Sequence, residues 1–192
     1  GPARTCREVC TERDLLNAGG SFFELPAENA GGMAKIRPVS THNRHIHDYA
    51  SWRGLLVMTG LSGESAPDPR VIRSADGRAA VWLGSVDELW ALGKPVGIGG
   101  PWKDTAVTAG APSDPYLMTG YDQKTLILES DKDCTITAEI DIDHWTGFHP
   151  YKTFSLRAGK NMTFQFPDGF AAHWIRFKSD KEIKSTAQLI YK

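Results

Sequence analysis

One short stretch of this 192-residue chain concentrates side chains that can exchange protons or hold anions. It contains three of the six histidines, with an arginine, an aspartate and a tyrosine among them: His42, Arg44, His45, His47, Asp48 and Tyr49. In an extended segment His47 and Tyr49 share one face and Asp48 points to the other, because side chains alternate along a strand. His42 and Arg44 alternate on one side of the preceding residues in the same way. The stretch is therefore a candidate catalytic site.

This set of side chains suits the removal of a proton next to a carboxylate. An imidazole of His42 or His47, or the phenolate of Tyr49, would act as the base, and Arg44 would hold the developing anion. β-Elimination on a uronic acid has this requirement, because charge builds on the sugar's own carboxylate. The same groups would also serve acid and base hydrolysis. The simpler alternative is a polar loop whose side chains bond the backbone, and both interpretations remain open.

The histidine spacing also permits a metal site. His42, His45 and His47 could supply imidazoles to a divalent transition metal. On a strand, however, His45 and His47 share one face and His42 lies on the other, so the three converge only if the chain turns. Neither an HExxH motif nor a cysteine-rich motif supports such a site. We therefore predict no cofactor, while a divalent metal ion remains an alternative.

Aromatic residues suggest a carbohydrate ligand, because the C–H faces of sugar rings pack on aromatic side chains and their hydroxyls need hydrogen bonds. We predict Asp48, Trp52, Arg53 and Trp102 as substrate-binding residues. Other aromatic and acidic residues crowd the Gly- and Pro-rich middle of the chain: Trp82, Trp90, Tyr116, Tyr121, Asp104, Asp114 and Asp122. Each tryptophan also has the simpler interpretation of a core residue, because tryptophan is highly buried on average.

A second aromatic group, His144, Trp145, Phe148, His149 and Tyr151, lies between two regular predicted strands. It could form a further sugar-binding patch at one end of a sheet. The alternative is a loop that closes the end of the core.

Composition restricts the class of protein. Hydrophobic residues make up 41% and charged residues 23% of the chain, as in ordinary globular proteins. The net charge is -1 and there is no long basic run, which argues against a nucleic-acid partner. No run of 18 apolar residues indicates a membrane span. The sequon Asn161-Met162-Thr163 and the pair Cys6 and Cys10 favour secretion. Gly1-Pro2 resembles a protease scar, so the lack of a signal peptide is uninformative.

Short apolar or alternating runs, separated by 19 glycines and 11 prolines, predict an all-β fold. The predicted strands are residues 6–15, 21–25, 34–39, 54–60, 70–74, 79–83, 105–108, 116–121, 124–129, 134–142, 151–156, 161–166, 173–178 and 186–191. Asp76-Gly77 predicts a hairpin turn. Ser85 and Glu88 predict a capping box at the start of a two-turn helix that ends before Gly93.

The character of the sequence changes near residue 124. Before it, Val57-Met58-Thr59-Gly60, Val81-Trp82-Leu83-Gly84 and Leu117-Met118-Thr119-Gly120 form a faint repeat, as short β units of propellers do. After it, the alternation is regular and predicts antiparallel strands of a sandwich or meander. We therefore divide the chain into a propeller-blade-like region, 1–123, and an antiparallel C-terminal region, 124–192.

Four segments carry a resemblance to a known group of proteins. They are Arg7-Glu8-Val9 with Thr11-Glu12-Arg13-Asp14-Leu15-Leu16-Asn17, Phe22-Phe23-Glu24-Leu25-Pro26, residues 41–56, and Asp87-Glu88-Leu89-Trp90-Ala91-Leu92-Gly93-Lys94-Pro95. The chain resembles the C-terminal part of secreted microbial carbohydrate-active enzymes. These are seven-bladed β-propellers with a sandwich-like tail, similar to the enzymes that act on rhamnose linked to glucuronic acid.

The resemblance implies a secreted, extracellular polysaccharide lyase or glycoside hydrolase that acts on an oligo- or polysaccharide. This chain would hold an incomplete ring of about two blades followed by the tail. A second chain or a missing N-terminal part would complete the propeller, and His42 would be the first choice among the catalytic residues, with Arg44 and His47. Two other functions remain open: a non-catalytic carbohydrate-binding β domain, and a structural β domain of a larger assembly.

Overall fold

The computed structural model describes residues 4–10, 13–61 and 68–192 and shows an all-β protein. In these residues, sixteen strands form four antiparallel sheets of four strands each. The chain divides into two compact units, Gly1–Pro95 and Val96–Lys192, and each unit contains two of the sheets. The prediction of an all-β fold is confirmed.

The first sheet of the first unit follows the order of the chain. Its strands are β1 (Thr5–Cys10), β2 (Arg13–Ala18), β3 (Ser21–Pro26) and β4 (Arg37–Thr41). Gly19 and Gly20, with φ of 60° and 81°, form the turn between β2 and β3. Positive φ at both central residues is the geometry that matches the twist of a two-residue hairpin, and it favours glycine. Two short 3₁₀ helices, Glu28–Ala30 and Gly32–Lys35, precede β4.

The second sheet of this unit departs from chain order. Its strands are β5 (Asp48–Trp52), β6 (Leu55–Thr59), β7 (Val71–Arg73) and β8 (Ala80–Gly84). They are arranged β5-β6-β8-β7, so β8 lies beside β6 and β7 is at the edge. The hairpin predicted from Asp76-Gly77 is confirmed, because β7 and β8 pair on either side of it and Gly77 has a φ of 69°.

The predicted helix after β8 is present, but it is a 3₁₀ helix, Val86–Leu92. Ser85 and Glu88 form the predicted capping box, in which the Ser85 N–H donates to the Glu88 carboxylate at 2.7 Å. This bond satisfies an N–H that the helix itself leaves without an acceptor. Leu89 points into the core, while Trp90 is exposed.

Both sheets of the first unit contribute to one hydrophobic core. Its buried members are Val9, Leu15, Phe22, Val39, Ile46, Tyr49, Leu56, Met58, Trp82 and Leu89. Each fully buried apolar side chain of this size stabilises the fold by about 1.5–3 kcal/mol. The core holds Tyr49 and Trp82 in place, and the residues around the predicted site are positioned by it.

The second unit contains two sheets around a larger core. One sheet has the order β10 (Tyr116–Leu117), β15 (Trp174–Ser179), β12 (Cys134–Asp141), β13 (His149–Leu156). The other has the order β14 (Met162–Gln165), β11 (Lys124–Ser130), β16 (Ile183–Tyr191), β9 (Gly97–Val107). Alternate residues of both sheets, such as Ile136, Phe177, Leu126 and Leu189, enter one buried cluster. This is the arrangement of a β-sandwich.

The second unit begins before the change in composition. β9 pairs with β16 from Val107 and Ile183 to Gly97 and Tyr191, so residues 97–107 belong to the C-terminal strands. The predicted division between residues 123 and 124 lies inside this unit.

Most predicted strands are present within a few residues of their predicted ends, but three differ. Residues 6–15 form β1 and part of β2, which pair with each other; residues 11 and 12 lie outside the described residues. The strand predicted at 105–108 begins already at Gly97, and the one predicted at 116–121 is reduced to Tyr116–Leu117. Residues 48 and 49, for which the sequence suggests an extended segment, begin the strand β5.

Candidate functional site

His42, the first candidate for a catalytic base, is a buried and neutral side chain of the first unit. Its Nδ1 accepts a hydrogen bond from the Arg44 backbone N–H at 3.0 Å, so Nε2 carries the proton and donates to Oδ1 of Asn17 at 3.0 Å. The ring also contacts Phe22, at 4.6 Å between centroids. Burial, assisted by the charge of Arg44, lowers the pKa of His42 to about 4. Both imidazole nitrogens are thus occupied at neutral pH.

Tyr49 is also enclosed. Its hydroxyl lies within hydrogen-bond distance of two backbone carbonyls, those of Thr5 at 2.7 Å and Leu15. Burial, with a contribution from Cys6, raises the pKa of Tyr49 far above its ordinary value. A phenol with a raised pKa stays protonated and is a poor base at neutral pH. In this arrangement Tyr49 joins the two sheets of the first unit.

Arg44 takes part in a network of charges. Its guanidinium lies 3.3 Å from the Asp68 carboxylate, which also accepts from Nε of Arg70 at 2.8 Å. Arg70 in turn reaches Glu88 at 3.4 Å and lies over the ring of Trp82 at 5.4 Å. Burial acts to raise the pKa of Asp68, but the hydrogen bonds from both arginines outweigh it and hold this pKa at about 2. Arg44 therefore compensates a buried carboxylate.

The remaining members of the predicted cluster lie at the surface. The rings of His45 and His47 are exposed and contact each other edge to face, at 5.4 Å between centroids. Asp48 forms an exposed ion pair with Arg7 at 3.0 Å, and the hydrogen bonds from the Tyr49 N–H and from Arg7 lower its pKa. The structure thus separates the predicted catalytic set into a buried part, His42 and Tyr49, and an exposed part.

The predicted substrate-binding residues are divided between the two units. Trp52 and Arg53 lie on the β5–β6 hairpin, where Trp52 is 57% exposed and the Arg53 guanidinium lies 5.1 Å from the ring of Trp52. Trp102 belongs to the second unit and is buried against Phe177, at 6.0 Å between ring centroids. Trp102 is therefore a core residue, as the simpler interpretation of the tryptophans anticipated.

Neither a metal centre nor a membrane-spanning helix is found in the part of the chain that the structure describes. No group of three or more His, Cys, Asp or Glu side chains there is arranged to hold a metal ion. His42 is bound to Asn17, while the rings of His45 and His47 meet at the surface. No described helix is long and apolar enough to cross a lipid bilayer.

The most prominent exposed aromatic residue belongs to the second unit. Trp145 is 78% exposed, in the loop between β12 and β13. One carboxylate oxygen of Asp143 accepts three hydrogen bonds at 2.9 Å, from the Trp145 N–H and from the N–H and hydroxyl of Thr146. These bonds lower the pKa of Asp143 to about 2. The His144 N–H donates to Asp141 at 2.7 Å. The loop that carries the exposed indole is therefore well fixed.

Trp145 is one end of a row of four rings, Trp145, His144, His173 and Trp174, which we call the aromatic row. Successive ring centroids are 5.1, 6.0 and 5.5 Å apart. β15 brings Trp174 beside Asp141 of β12, and the His173 N–H donates to the Asp141 carbonyl at 2.8 Å. Nε2 of His144 is enclosed and has no hydrogen-bond partner among the described residues.

Two charged side chains follow the aromatic row along β15. Arg176 and Lys178 both contact the buried carboxylate of Glu139, at 2.6 and 2.8 Å. The Arg176 guanidinium also lies 4.2 Å from the ring of Phe148. The sequence singled out His144, Trp145 and Phe148, but it missed His173, Trp174 and Arg176. Only the register of β12 and β15 reveals these three, although the alternation of residues 174–178 placed Trp174, Arg176 and Lys178 on one face.

Comparison of the chain with protein-family models, with curated proteins and with solved structures finds no match. The resemblance to propeller enzymes therefore stays a prediction, and the function is inferred from the side chains themselves.

Proposed function

We propose that this chain is part of a carbohydrate-active protein and that its second unit binds a glycan without cleaving it. The observation that carries this proposal is the exposed indole of Trp145 on a loop fixed by Asp143. Leaving a large apolar side chain in water forgoes about 2 kcal/mol of burial. A ligand with an apolar face recovers that free energy, and a fixed loop loses little entropy when the ligand binds.

The aromatic row favours a sugar over a purely apolar ligand. Sugar rings present apolar C–H groups on their faces and hydroxyls at their edges, so they require aromatic surfaces next to polar groups. Trp145 and Trp174 supply the aromatic surfaces, and His144 and His173 between them can each donate or accept a hydrogen bond. Nε2 of His144, which is enclosed and has no hydrogen-bond partner among the described residues, would gain one from a sugar hydroxyl that reaches it.

A structural role is a better account than catalysis for His42 and Tyr49, because both already use their polar atoms within the first unit. Cleavage of a rhamnose–glucuronate bond by elimination or hydrolysis, together with secretion, remains what the resemblance predicts of a whole protein. The first sheet of the first unit, with four strands in chain order, is compatible with a propeller blade, which also has four strands. The order β5-β6-β8-β7 is not that of a simple meander.

The test measures binding and cleavage on the same sample. The full chain is titrated by calorimetry with a panel of plant oligosaccharides, including a rhamnose-capped glucuronate glycan. Released sugars and the ultraviolet absorbance of an unsaturated uronate are followed in parallel. We expect saturable binding with neither product. Trp145→Ala should weaken binding by about tenfold or more, as for a central interface aromatic. Trp52→Ala is the matched control, because Trp52 is also exposed but lies in the first unit, and it should leave binding unchanged.

Two outcomes would overturn the proposal. Formation of an unsaturated uronate or of free rhamnose, lost in His42→Ala, would make the chain catalytic. Equal losses of binding in Trp145→Ala and Trp52→Ala would remove the aromatic row as the binding surface.

A further inference from the structure

A cleft of about 450 Å³ opens between two loops of the second unit, apart from the residues of the aromatic row. Residues 119–124, which lead from β10 into β11, form one wall, and residues 168–171, between β14 and β15, form the other. Clefts of this size are typical of small-molecule sites in proteins. Its lining combines aromatic rings, carboxylates and an amide.

A buried ammonium group fixes the two walls at their base. Nζ of Lys124 donates to the Tyr121 carbonyl at 2.5 Å and to the Phe170 carbonyl at 2.9 Å, one acceptor from each wall. Lys124 is almost fully enclosed. Burial lowers the pKa of Lys124, and the charge of Asp122 acts in the opposite direction. Because hydrogen bonds from a charged group are the strong ones, this residue sets the spacing of the walls.

One aromatic surface of the cleft is held flat. The ring of Tyr121 is stacked on that of Tyr191, at 4.0 Å between centroids and 11° between planes. Tyr191 is a core residue whose hydroxyl donates to the Leu117 carbonyl at 2.6 Å. The opposite wall carries Phe170, which contacts Phe166 at 5.0 Å. Rigid aromatic surfaces of this kind suit the C–H face of a sugar ring.

The exposed polar side chains of the cleft can accept hydrogen bonds from hydroxyls, and the amide of Gln123 can also donate. Asp122, Gln123 and Asp168 are exposed and line the opening. Carboxylates accept hydrogen bonds and do not donate them, so they match sugar hydroxyls and repel a ligand carboxylate. The lining carries two negative charges and the positive charge of Lys124, which leaves it net negative. The charge therefore disfavours an anionic ligand such as a uronic acid.

We propose that this cleft is a second ligand site and that it binds a single neutral pyranose, excluding the matching uronic acid. The proposal takes its ligand class from the proposed function, but it uses none of the residues of the aromatic row. Asp122 and Asp168 accept hydrogen bonds from the sugar hydroxyls, and Tyr121 packs on the face of the sugar ring. Lys124 holds the two walls at a fixed distance.

The test follows the two sites separately by nuclear magnetic resonance on the full chain. Labelled protein is titrated with neutral pyranoses (glucose, galactose, mannose, xylose, rhamnose and fucose) and with glucuronic and galacturonic acids. We expect saturable shifts of the Gly120 and Gly169 amides with at least one neutral sugar and much smaller shifts with the uronic acid. Asp168→Asn should weaken the neutral sugar by about tenfold, because a hydrogen bond to a charged group is lost. Asp114→Asn, an exposed aspartate outside the cleft, is the control and should change nothing.

The outcomes separate this proposal from the preceding one. Shifts confined to the Trp145 indole would overturn the cleft and leave the aromatic row. Shifts at Gly120 and Gly169 that persist in Trp145→Ala would support the cleft alone. No shift at either glycine with any sugar, or equal shifts with a neutral sugar and its uronic acid, would overturn the cleft as a neutral-pyranose site.

Discussion

Nε2 of His42 lies 3.0 Å from Oδ1 of Asn17, and both side chains are buried in the first unit. A charged imidazolium would lose its hydration in this buried position. His42 therefore stays neutral in the folded protein down to a pH of about 4. In the unfolded chain His42 has an ordinary histidine pKa near 6.5, so it binds this proton at a higher pH than in the folded protein.

The free energy of unfolding should therefore fall as the pH falls from about 6.5 to 4. Within this window the unfolded state binds more protons, so stability rises with pH, and a shift of this size corresponds to about 3 kcal/mol. Above pH 6.5 His42 should contribute no slope. Urea unfolding of the full chain at several pH values measures this, with His42→Gln as the comparison. A slope between pH 4 and 6.5 that is the same in His42→Gln would contradict it.

Asp68 is the shared carboxylate of the charge network that contains Arg44 and Arg70. Asp68→Asn removes the charge that compensates Arg44 and Arg70, and it should lower the free energy of unfolding by about 2 kcal/mol. Asp48→Asn is the matched control, because the ion pair of Asp48 with Arg7 is exposed to solvent and contributes much less than a buried one. Equal effects of the two substitutions would show that burial of the Asp68 network contributes nothing.

Gly60 is needed for the position of His47. A Cβ at Gly60, whose φ is 72°, would lie 2.6 Å from the Cβ of His47, so rotation of the exposed ring cannot relieve the overlap. Gly60→Ala should cost the 1–2 kcal/mol of a left-handed backbone, about as in Gly54→Ala, plus the cost of the overlap. Thermal unfolding should give a clearly lower Tm for Gly60→Ala. Adding His47→Gly, which removes that Cβ, should bring the cost of Gly60→Ala, measured against the His47→Gly single variant, down to that of Gly54→Ala; if it does not, the overlap is not its cause.

Lys124 should matter for stability as well as for the cleft. Lys124→Met keeps the aliphatic stem but leaves the Tyr121 and Phe170 carbonyls without their charged donor. We expect a loss of about 2 kcal/mol in the free energy of unfolding, measured with urea. The exposed Lys103, changed to Met, is the control and should stay within about 0.5 kcal/mol. A near-neutral Lys124→Met would mean that the two loops are held by other contacts.

Local patterns in the sequence were sufficient for much of this fold. Regular alternation after residue 124 predicted β11, β12, β15 and β16, and Ser85 with Glu88 predicted a capped helix. The first part of β9, residues 97–104, was not predicted, because its glycines are required by long-range packing and not by local structure. A side chain at Gly99 would meet Tyr116, and one at Gly100 would meet the Ala187 carbonyl. The sequence around Gly99 and Gly100 does not predict either contact.

The candidate site shows the same limit. The types of His42 and Tyr49 were visible, but their roles depend on residues far away in the chain. Asn17 engages the imidazole, and the Thr5 and Leu15 carbonyls engage the phenol. These partners decide whether a histidine and a tyrosine can react, and a cluster of residue types cannot reveal them. For the same reason the sequence revealed only His144 and Trp145 of the aromatic row. The pairing of β12 with β15 brings the other two rings beside them.

The pairing of β9 with β16 joins the first strand of the second unit to its last. During synthesis β9 leaves the ribosome long before its partner exists, and its edge stays unpaired until the final residues emerge. The first sheet of the first unit pairs only sequence neighbours, so it can form while the chain is still growing. Because pairing between distant segments is slow, closure of the β9–β16 edge should be the late event in folding of the second unit. Chains that stop short of residue 183 would expose β9 as an open edge for aggregation.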